Sequence, residues 1–97
     1  MARRKNDISI GEALDMMVTE LKLKGKLDES RIRERWAEIM GKPIAKYTSS
    51  VSLRDGKLYI KVESAPLNHE LNYSRDKIKE MFNKELGEGV VKDVVVF

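Results

Sequence analysis

The chain has 97 residues, 41% of them hydrophobic and 36% charged, so it is large enough for one domain with a modest core and a heavily charged surface. The lack of cysteine excludes disulfides, thiolate metal sites and cysteine nucleophiles, and it fits a reducing, cytoplasmic location. The longest apolar run, Val94 to Phe97, is far too short for a membrane span, and the net charge of +3 alone says little about partners.

The first predicted helix begins at Ser9. Residues 1–7 before it are polar and basic, and we expect them to form a flexible basic arm in front of a single domain spanning residues 8–97. Ser9 can cap the open amides while Glu12 reaches back, which is a capping box. Gly25 is expected to end this helix. Its apolar stripe consists of Ile10, Leu14, Met17, Val18 and Leu21.

A second helix is predicted from Asp28, a good N-terminal cap, to Gly41. Pro43 prevents its continuation and opens one short turn through Lys46. One face carries Ile32, Trp36, Ile39 and Met40. Because Trp36 is large and lies on this stripe, we expect it to be buried in the core, the alternative being a partner-binding anchor at a helix edge.

Two strands, residues 49–54 and 57–64, are predicted on either side of Asp55-Gly56, a dipeptide that accepts the positive φ angles of a type I′ turn. The two-residue loop sets the register, so that Arg54 faces Lys57. Side chains alternate between two unlike faces. The buried face comprises Val51, Leu53, Leu58, Ile60 and Val62, and the outer face comprises Ser50, Arg54, Lys57, Tyr59 and Lys61.

A third helix is predicted from about Pro66 to Leu86, and the β-branched segment Val90–Phe97 is predicted as the last strand. The sequence therefore predicts an α+β fold of order α-α-β-β-α-β, with a three-stranded sheet and helices packed on one of its faces. It leaves open which hairpin strand the last strand adjoins. Two alternations compete in that strand: Val91, Val95 and Phe97 on one face, and Val90, Val94 and Val96 on the other.

The outer face of the hairpin is the candidate nucleic-acid site. Residues 42–62 hold five basic side chains against one acidic side chain, Asp55, a net charge of +4. An exposed Tyr59 ring among these cations can stack a base while the cations hold phosphates. The alternative for Tyr59 is that it only stabilises its strand pair. The alternative for the cations is that they form an ordinary solvated face. The candidate set is Arg3, Arg4, Lys5, Lys42, Lys46, Arg54, Lys57, Tyr59 and Lys61.

The last strand is the candidate site for a protein partner. A strand that is apolar on both faces is normally covered on both or pairs with something outside the monomer. The candidate residues are Val90, Val94 and Val96. On this interpretation the chain is a protein–protein adaptor without a nucleic-acid role. On either interpretation we expect a monomer or weak homodimer.

No group of catalytic residues is recognisable. His69 is the sole histidine, its neighbour Glu70 points away from it on a helix, and no second ligand type is clustered nearby. We therefore expect His69 at the surface and no metal or cofactor. Nucleophile-elbow, Walker and dinucleotide glycine patterns are also absent, so we expect no enzyme.

Several of these features together resemble the DciA family, a bacterial family long classed as a domain of unknown function. The resemblance covers roughly residues 8–97. It rests on Trp36, Ile39, Gly41, Ile44-Ala45, Thr48, the segment Leu53-Arg54-Asp55-Gly56-Lys57-Leu58, Ile60, Val62, Ser64, Glu70-Leu71 and Leu86-Gly87 before a valine-rich end.

This resemblance implies a KH-like fold and a non-enzymatic accessory role in DNA replication, because the best-known members assist loading of the replicative helicase DnaB onto DNA. It implies DNA and a helicase as partners, with an RNA-binding KH relative as a further alternative. KH domains that bind RNA clamp the backbone with a Gly-x-x-Gly loop. The corresponding segment here, Gly41-Lys42-Pro43-Ile44, lacks the second glycine.

Overall fold

The computed structural model describes residues 9–97 and confirms an α+β fold in which two strands, a helical segment and a last strand follow the N-terminal helices, and the strands form a three-stranded sheet. The basic arm, residues 1–7 with Arg3, Arg4 and Lys5, lies outside the described residues. The elements are α1 (Ile10–Met40), α2 (Lys42–Tyr47), β1 (Thr48–Arg54), β2 (Lys57–Val62), α3 (Ala65–Tyr73), α4 (Arg75–Leu86) and β3 (Asp93–Val96). The similarity to KH domains stays a prediction.

One continuous helix, α1, replaces the two helices predicted before Gly41. Its start is as expected: the Ser9 hydroxyl accepts a hydrogen bond from the Glu12 amide at 3.0 Å, and the Glu12 carboxylate accepts one from the Ser9 amide at 3.1 Å. The predicted end at Gly25 is wrong. A glycine ends a helix by adopting a positive φ angle, and Gly25 is not among the glycines that do so. Its penalty of about 1 kcal/mol is small for a helix of 31 residues.

The predicted third helix is divided at Ser74. Its backbone (φ −102°, ψ 15°) leaves the helical region between α3 and α4, and its amide donates to Leu71 O at 3.1 Å. Serine competes for its own backbone groups and so tolerates such a break. The break lets Leu71 on α3 and Phe82 on α4 both enter the core.

The sheet has the order β1-β2-β3. β1 and β2 pair antiparallel in the predicted register, from Val51 opposite Ile60 to Arg54 opposite Lys57. The turn residues Asp55 (φ 49°) and Gly56 (φ 81°) both adopt positive φ, as a type I′ turn requires. β3 runs parallel to β2, with Leu58 beside Val94, and this pairing answers the question that the sequence left open.

The core lies between one face of the sheet and the helices. Trp36 is buried, as predicted, with its ring stacked on Phe82 at a centroid distance of 5.4 Å and its indole N–H donating to Thr48 Oγ1 at 3.0 Å. Alternate strand residues face this core, so the opposite face of the sheet holds no buried residue. The buried hydrophobic residues are Ile32, Trp36, Val51, Leu53, Leu58, Ile60, Val62, Leu71, Ile78, Phe82, Val91, Val94 and Val96.

Side chains from α1 close the free edge of β1. Arg33 Nε donates to Val51 O at 2.9 Å, and the Glu29 carboxylate accepts from the Leu53 amide at 2.8 Å. These contacts satisfy backbone groups that would otherwise be open to another strand.

The described part of the chain is elongated, with principal extents of 64 × 21 × 20 Å, because the first half of α1 extends beyond the sheet. None of the helices in residues 9–97 is long and apolar enough to cross a membrane.

Candidate nucleic-acid interface

The face of the sheet turned away from the helices, which we call the outer face, is built from three rows of side chains across the strands. The row nearest the hairpin turn is Arg54, Lys57 and Asp93. The middle row is Ser52, Tyr59 and Val95. The third row is Ser50, Lys61 and Phe97, because the Phe97 amide donates to Ile60 O and its carbonyl accepts from the Val62 amide, which places Phe97 beside Lys61.

Tyr59 lies at the centre of this face. It is half-buried, with Ser52 on one side and Val95 on the other, and no helix covers it. Within residues 9–97 its hydroxyl makes no hydrogen bond to protein. The Tyr59 ring therefore offers an accessible aromatic surface on a rigid strand, which is the arrangement on which bases stack in single-strand binding proteins.

The cations of the outer face are not neutralised by the fold. Arg54, Lys57 and Lys61 are exposed, and in the described part of the chain none of them forms a salt bridge. Arg54 lies directly opposite Lys57, a like-charge pair that destabilises a hairpin slightly. The one carboxylate in these rows, Asp93, accepts a hydrogen bond from the Val94 amide at 2.9 Å. The face therefore carries excess positive charge.

By contrast, several cations of α1 have acidic partners. These salt bridges are Lys24–Asp28 at 2.9 Å, Arg33–Glu29 at 3.5 Å, and Arg35 with Glu38 at 2.8 Å and with Glu85 at 3.2 Å. On the outer face the exposed basic side chains Arg54, Lys57 and Lys61 outnumber the one carboxylate, Asp93, by three to one.

The strand geometry sets the spacing of the site. Lys57, Tyr59 and Lys61 are alternate residues of one strand, so all three point to the same side. The two lysines are four residues apart, about 13 Å along the strand. The ring therefore lies between two positive charges, so that a base on Tyr59 would have phosphates within reach on both sides.

The remaining described candidates do not join this face. Lys42 and Lys46 are exposed on α2, which precedes β1 and so lies at the end of the sheet away from the turn. The Lys46 ammonium is 6.0 Å from the centroid of the Tyr47 ring. Gly41, with φ 98°, separates α1 from α2.

Two residues of the face were missed by the sequence reasoning. Val95 and the exposed Phe97 extend the apolar surface around Tyr59. Their alternation was visible in the sequence as one face of the last strand. Only the parallel pairing of β3 with β2 places that face beside Tyr59.

The predicted partner surface on the last strand needs correction. Val94 and Val96 are 2% and 8% exposed and belong to the core, while Val90 is half-buried against it. These side chains alternate toward the helices, so they are not available to a partner. Pairing of another chain with the backbone of the β3 edge stays a prediction.

His69 is exposed on α3, with its ring edge-on to Tyr73 at a centroid distance of 5.1 Å. In residues 9–97 no three histidine or acidic side chains are grouped so that they could hold a metal ion.

Comparison with known proteins agrees with the resemblance found in the sequence. The family model described as "Dna[CI] antecedent, DciA" matches residues 9–96. A UPF0232 protein from Rhodococcus jostii (strain RHA1) is 30% identical over 69 residues, which are 71% of this chain and 37% of that protein. The chain thus matches a little over a third of the length of that relative. No solved structure matches significantly. The match over nearly every described residue shows that the chain belongs to the DciA family.

Proposed function

We propose that this protein is a non-enzymatic accessory factor of DNA replication that binds nucleic acid through its outer face and assists loading of the replicative helicase. Membership of the DciA family supports the helicase-related role. The observation that carries the nucleic-acid part is the half-buried Tyr59 ring between the exposed Lys57 and Lys61 on β2, with Arg54 opposite Lys57. None of these three cations forms a salt bridge within residues 9–97.

In the proposed complex a base stacks on Tyr59 and neighbouring bases meet Phe97 and Val95. The ammonium groups of Lys57 and Lys61 hold the flanking phosphates, and Arg54 adds a further contact near the turn. Stacking on an aromatic side chain contributes about 1–3 kcal/mol per base and tolerates any sequence. We propose single-stranded DNA as the ligand, since unpaired bases alone can reach a flat sheet in this manner.

Other candidate cations would contribute long-range attraction. Arg3, Arg4 and Lys5 precede the domain, and Lys42 and Lys46 lie on α2. A helicase would contact the helical side of the domain, which leaves the outer face free for DNA. We propose that this activity takes place in the cytoplasm.

The test is a fluorescence-polarisation titration with a labelled single-stranded oligonucleotide at low salt. We expect Tyr59→Ala to weaken binding between about 5-fold and 100-fold, the range expected for one lost stacking contact. We expect Lys57→Ala/Lys61→Ala to weaken it by at least about 10-fold, because two phosphate contacts are lost.

The matched control is Lys77→Ala/Lys84→Ala, which removes the same charge from exposed positions of α4. We expect it to change the affinity by less than about 3-fold, an effect of net charge alone. Equal losses from the two double variants would show that the outer face is not the site. Absence of binding by the unmodified protein would favour the adaptor role, and stronger competition by RNA than by DNA would favour an RNA-binding function.

A further inference from the structure

A groove, which we call the turn groove, separates α1 from the hairpin turn. It has a volume of about 400 Å³. Arg54 lines this groove and also belongs to the row of the outer face nearest the turn, so the turn groove adjoins the outer face at Arg54. The lining residues are Lys22, Gly25, Lys26, Glu29, Leu53, Arg54 and Asp55.

The cations of the turn groove have no acidic partner in the described part of the chain. Lys22, Lys26 and Arg54 are all exposed, and none of them forms a salt bridge within residues 9–97. The two lysines are four residues apart on α1, so their side chains lie on the same side of the helix. The groove therefore presents three positive charges from two different elements.

The acidic side chains of the groove offset little of this charge. The Glu29 carboxylate accepts a hydrogen bond from the Leu53 amide at 2.8 Å, and it also pairs with Arg33 at 3.5 Å. Its charge is therefore engaged by groups other than the three cations. The other carboxylate, that of Asp55, is exposed in the hairpin turn. The balance of charge in the turn groove is positive.

Three local features at this point cost stability, and no contact within residues 9–97 repays them. Lys22 and Lys26 are like charges at neighbouring positions of a helix. Gly25 costs a helix about 1 kcal/mol relative to alanine, although a Cβ there would meet nothing within 4 Å. Arg54 opposite Lys57 is a second like-charge pair. Unfavourable local choices of this kind are expected at functional sites. A bound anion would offset both like-charge pairs, and the absent side chain at Gly25 would let it approach the helix backbone closely.

We propose that the turn groove holds the sugar–phosphate backbone of the same single strand whose bases stack on Tyr59. The strand leaves the outer face beside Arg54. Lys22 and Lys26 then bind its next phosphates. No aromatic side chain lines the groove, so it contacts phosphates and does not stack bases. This inference rests on the proposed function, because it extends the same nucleic-acid site.

Fluorescence polarisation with two labelled single strands tests the turn groove. Strands of about 5 and about 15 nucleotides fit, because single-strand sites commonly span about 4–16 nucleotides. The short strand cannot cover the outer face and the groove together, whereas the long strand can. We expect Lys22→Ala/Lys26→Ala to weaken binding of the long strand by at least about 10-fold and of the short strand by less than about 3-fold. With the long strand, this variant should also reduce the salt slope by about 1–2.

The matched control is again Lys77→Ala/Lys84→Ala, which removes the same charge from exposed positions of α4. We expect it to change the affinity for either strand by less than about 3-fold.

Gly25→Leu tests the close approach to the helix without any change of charge. Leucine is a better helix former than glycine, so the free energy of unfolding should not fall. We expect binding of the long strand to weaken by at least about 3-fold, because the new side chain occupies space that the phosphate would use. Urea denaturation followed by circular dichroism checks that each variant is folded.

The outcomes separate this inference from the proposed function. If the outer-face variants weaken binding but Lys22→Ala/Lys26→Ala behaves like the control, the outer face is the site and the turn groove is not part of it. Equal losses with both strand lengths would show that Lys22 and Lys26 act only by long-range attraction, which also overturns the inference. Unchanged affinity of Gly25→Leu would refute the close approach to the helix. Losses confined to the groove variants, with the outer-face variants unaffected, would refute the proposed function and the continuous path together.

Discussion

At the scale of single residues, the Asn83 side-chain amide pairs with backbone groups of Val91 as a neighbouring strand would do. Asn83 is 8% exposed, its Nδ2 donates to Val91 O at 2.9 Å, and its Oδ1 accepts from the Val91 amide at 2.7 Å. Val91 is itself 1% exposed, so water does not satisfy these backbone groups. The contact fixes the segment that leads from α4 into β3 and therefore helps to position β3 beside β2.

We expect Asn83→Ala to lower the free energy of unfolding by about 2–4 kcal/mol, because two buried backbone groups lose their partners. Urea denaturation followed by circular dichroism measures this. The control is Asn72→Ala, which removes only bonds to Asn68 one turn earlier in α3. We expect a change below about 1 kcal/mol for the control, and similar losses in both variants would contradict this account of Asn83.

At the scale of elements, two glycines show opposite uses of the same residue. Gly56 has φ 81° in the hairpin turn, and a Cβ there would lie 2.9 Å from Lys92 Cδ. Gly25 lies inside α1, and a Cβ there would meet nothing within 4 Å. The turn therefore requires its glycine, whereas neither packing nor the backbone angle requires one at Gly25.

We expect Gly25→Ala to raise the free energy of unfolding by about 0.5–1 kcal/mol, because alanine is the better helix former and no atom obstructs it. Thermal unfolding should show a midpoint several degrees higher. Gly56→Ala serves as the contrast and should lose about 1–2 kcal/mol, since alanine is strained at positive φ. A destabilised Gly25→Ala protein would indicate that the helix end predicted at Gly25 from the sequence is populated in solution.

At the scale of the whole molecule, the helical layer and the outer face differ in how charge is arranged. The salt bridges in residues 9–97 lie on α1 and between α1 and α4, while the cations of the outer face form none. A net charge of only +3 therefore understates the positive potential that a nucleic acid would meet when it approaches the sheet.

We expect binding to single-stranded DNA to weaken steeply as salt rises. Three phosphate contacts by Arg54, Lys57 and Lys61 correspond to a slope of about −2 in a plot of log affinity against log salt. The slope reaches about −4 if Arg3, Arg4 and Lys5 also contact phosphates. Titrations from about 50 to about 200 mM salt measure it, and a flat dependence would refute an electrostatic mode of binding. Lys57→Ala/Lys61→Ala should reduce the slope by about 1–2.

The amino-acid sequence by itself determined those features that depend on a few neighbouring residues. The capping box of Ser9 and Glu12 and the register around Asp55-Gly56 followed from local hydrogen bonding and φ preferences. Periodicity also identified Trp36 as a core residue, and alternation placed Lys57, Tyr59 and Lys61 on one face. These features suffice for the α+β class and for the centre of the candidate site.

Only the tertiary structure decided where the helices end and which way the last strand faces. Both features depend on contacts between residues that are far apart in the chain. Gly25 and Ser74 each carry a local preference for a break, yet α1 runs through Gly25 while α3 and α4 separate at Ser74. Both faces of β3 carry valines, so the sequence alone does not show which face points toward the core. The parallel pairing of β3 with β2 decides this. That pairing turned Val94 toward the core and placed Val95 beside Tyr59.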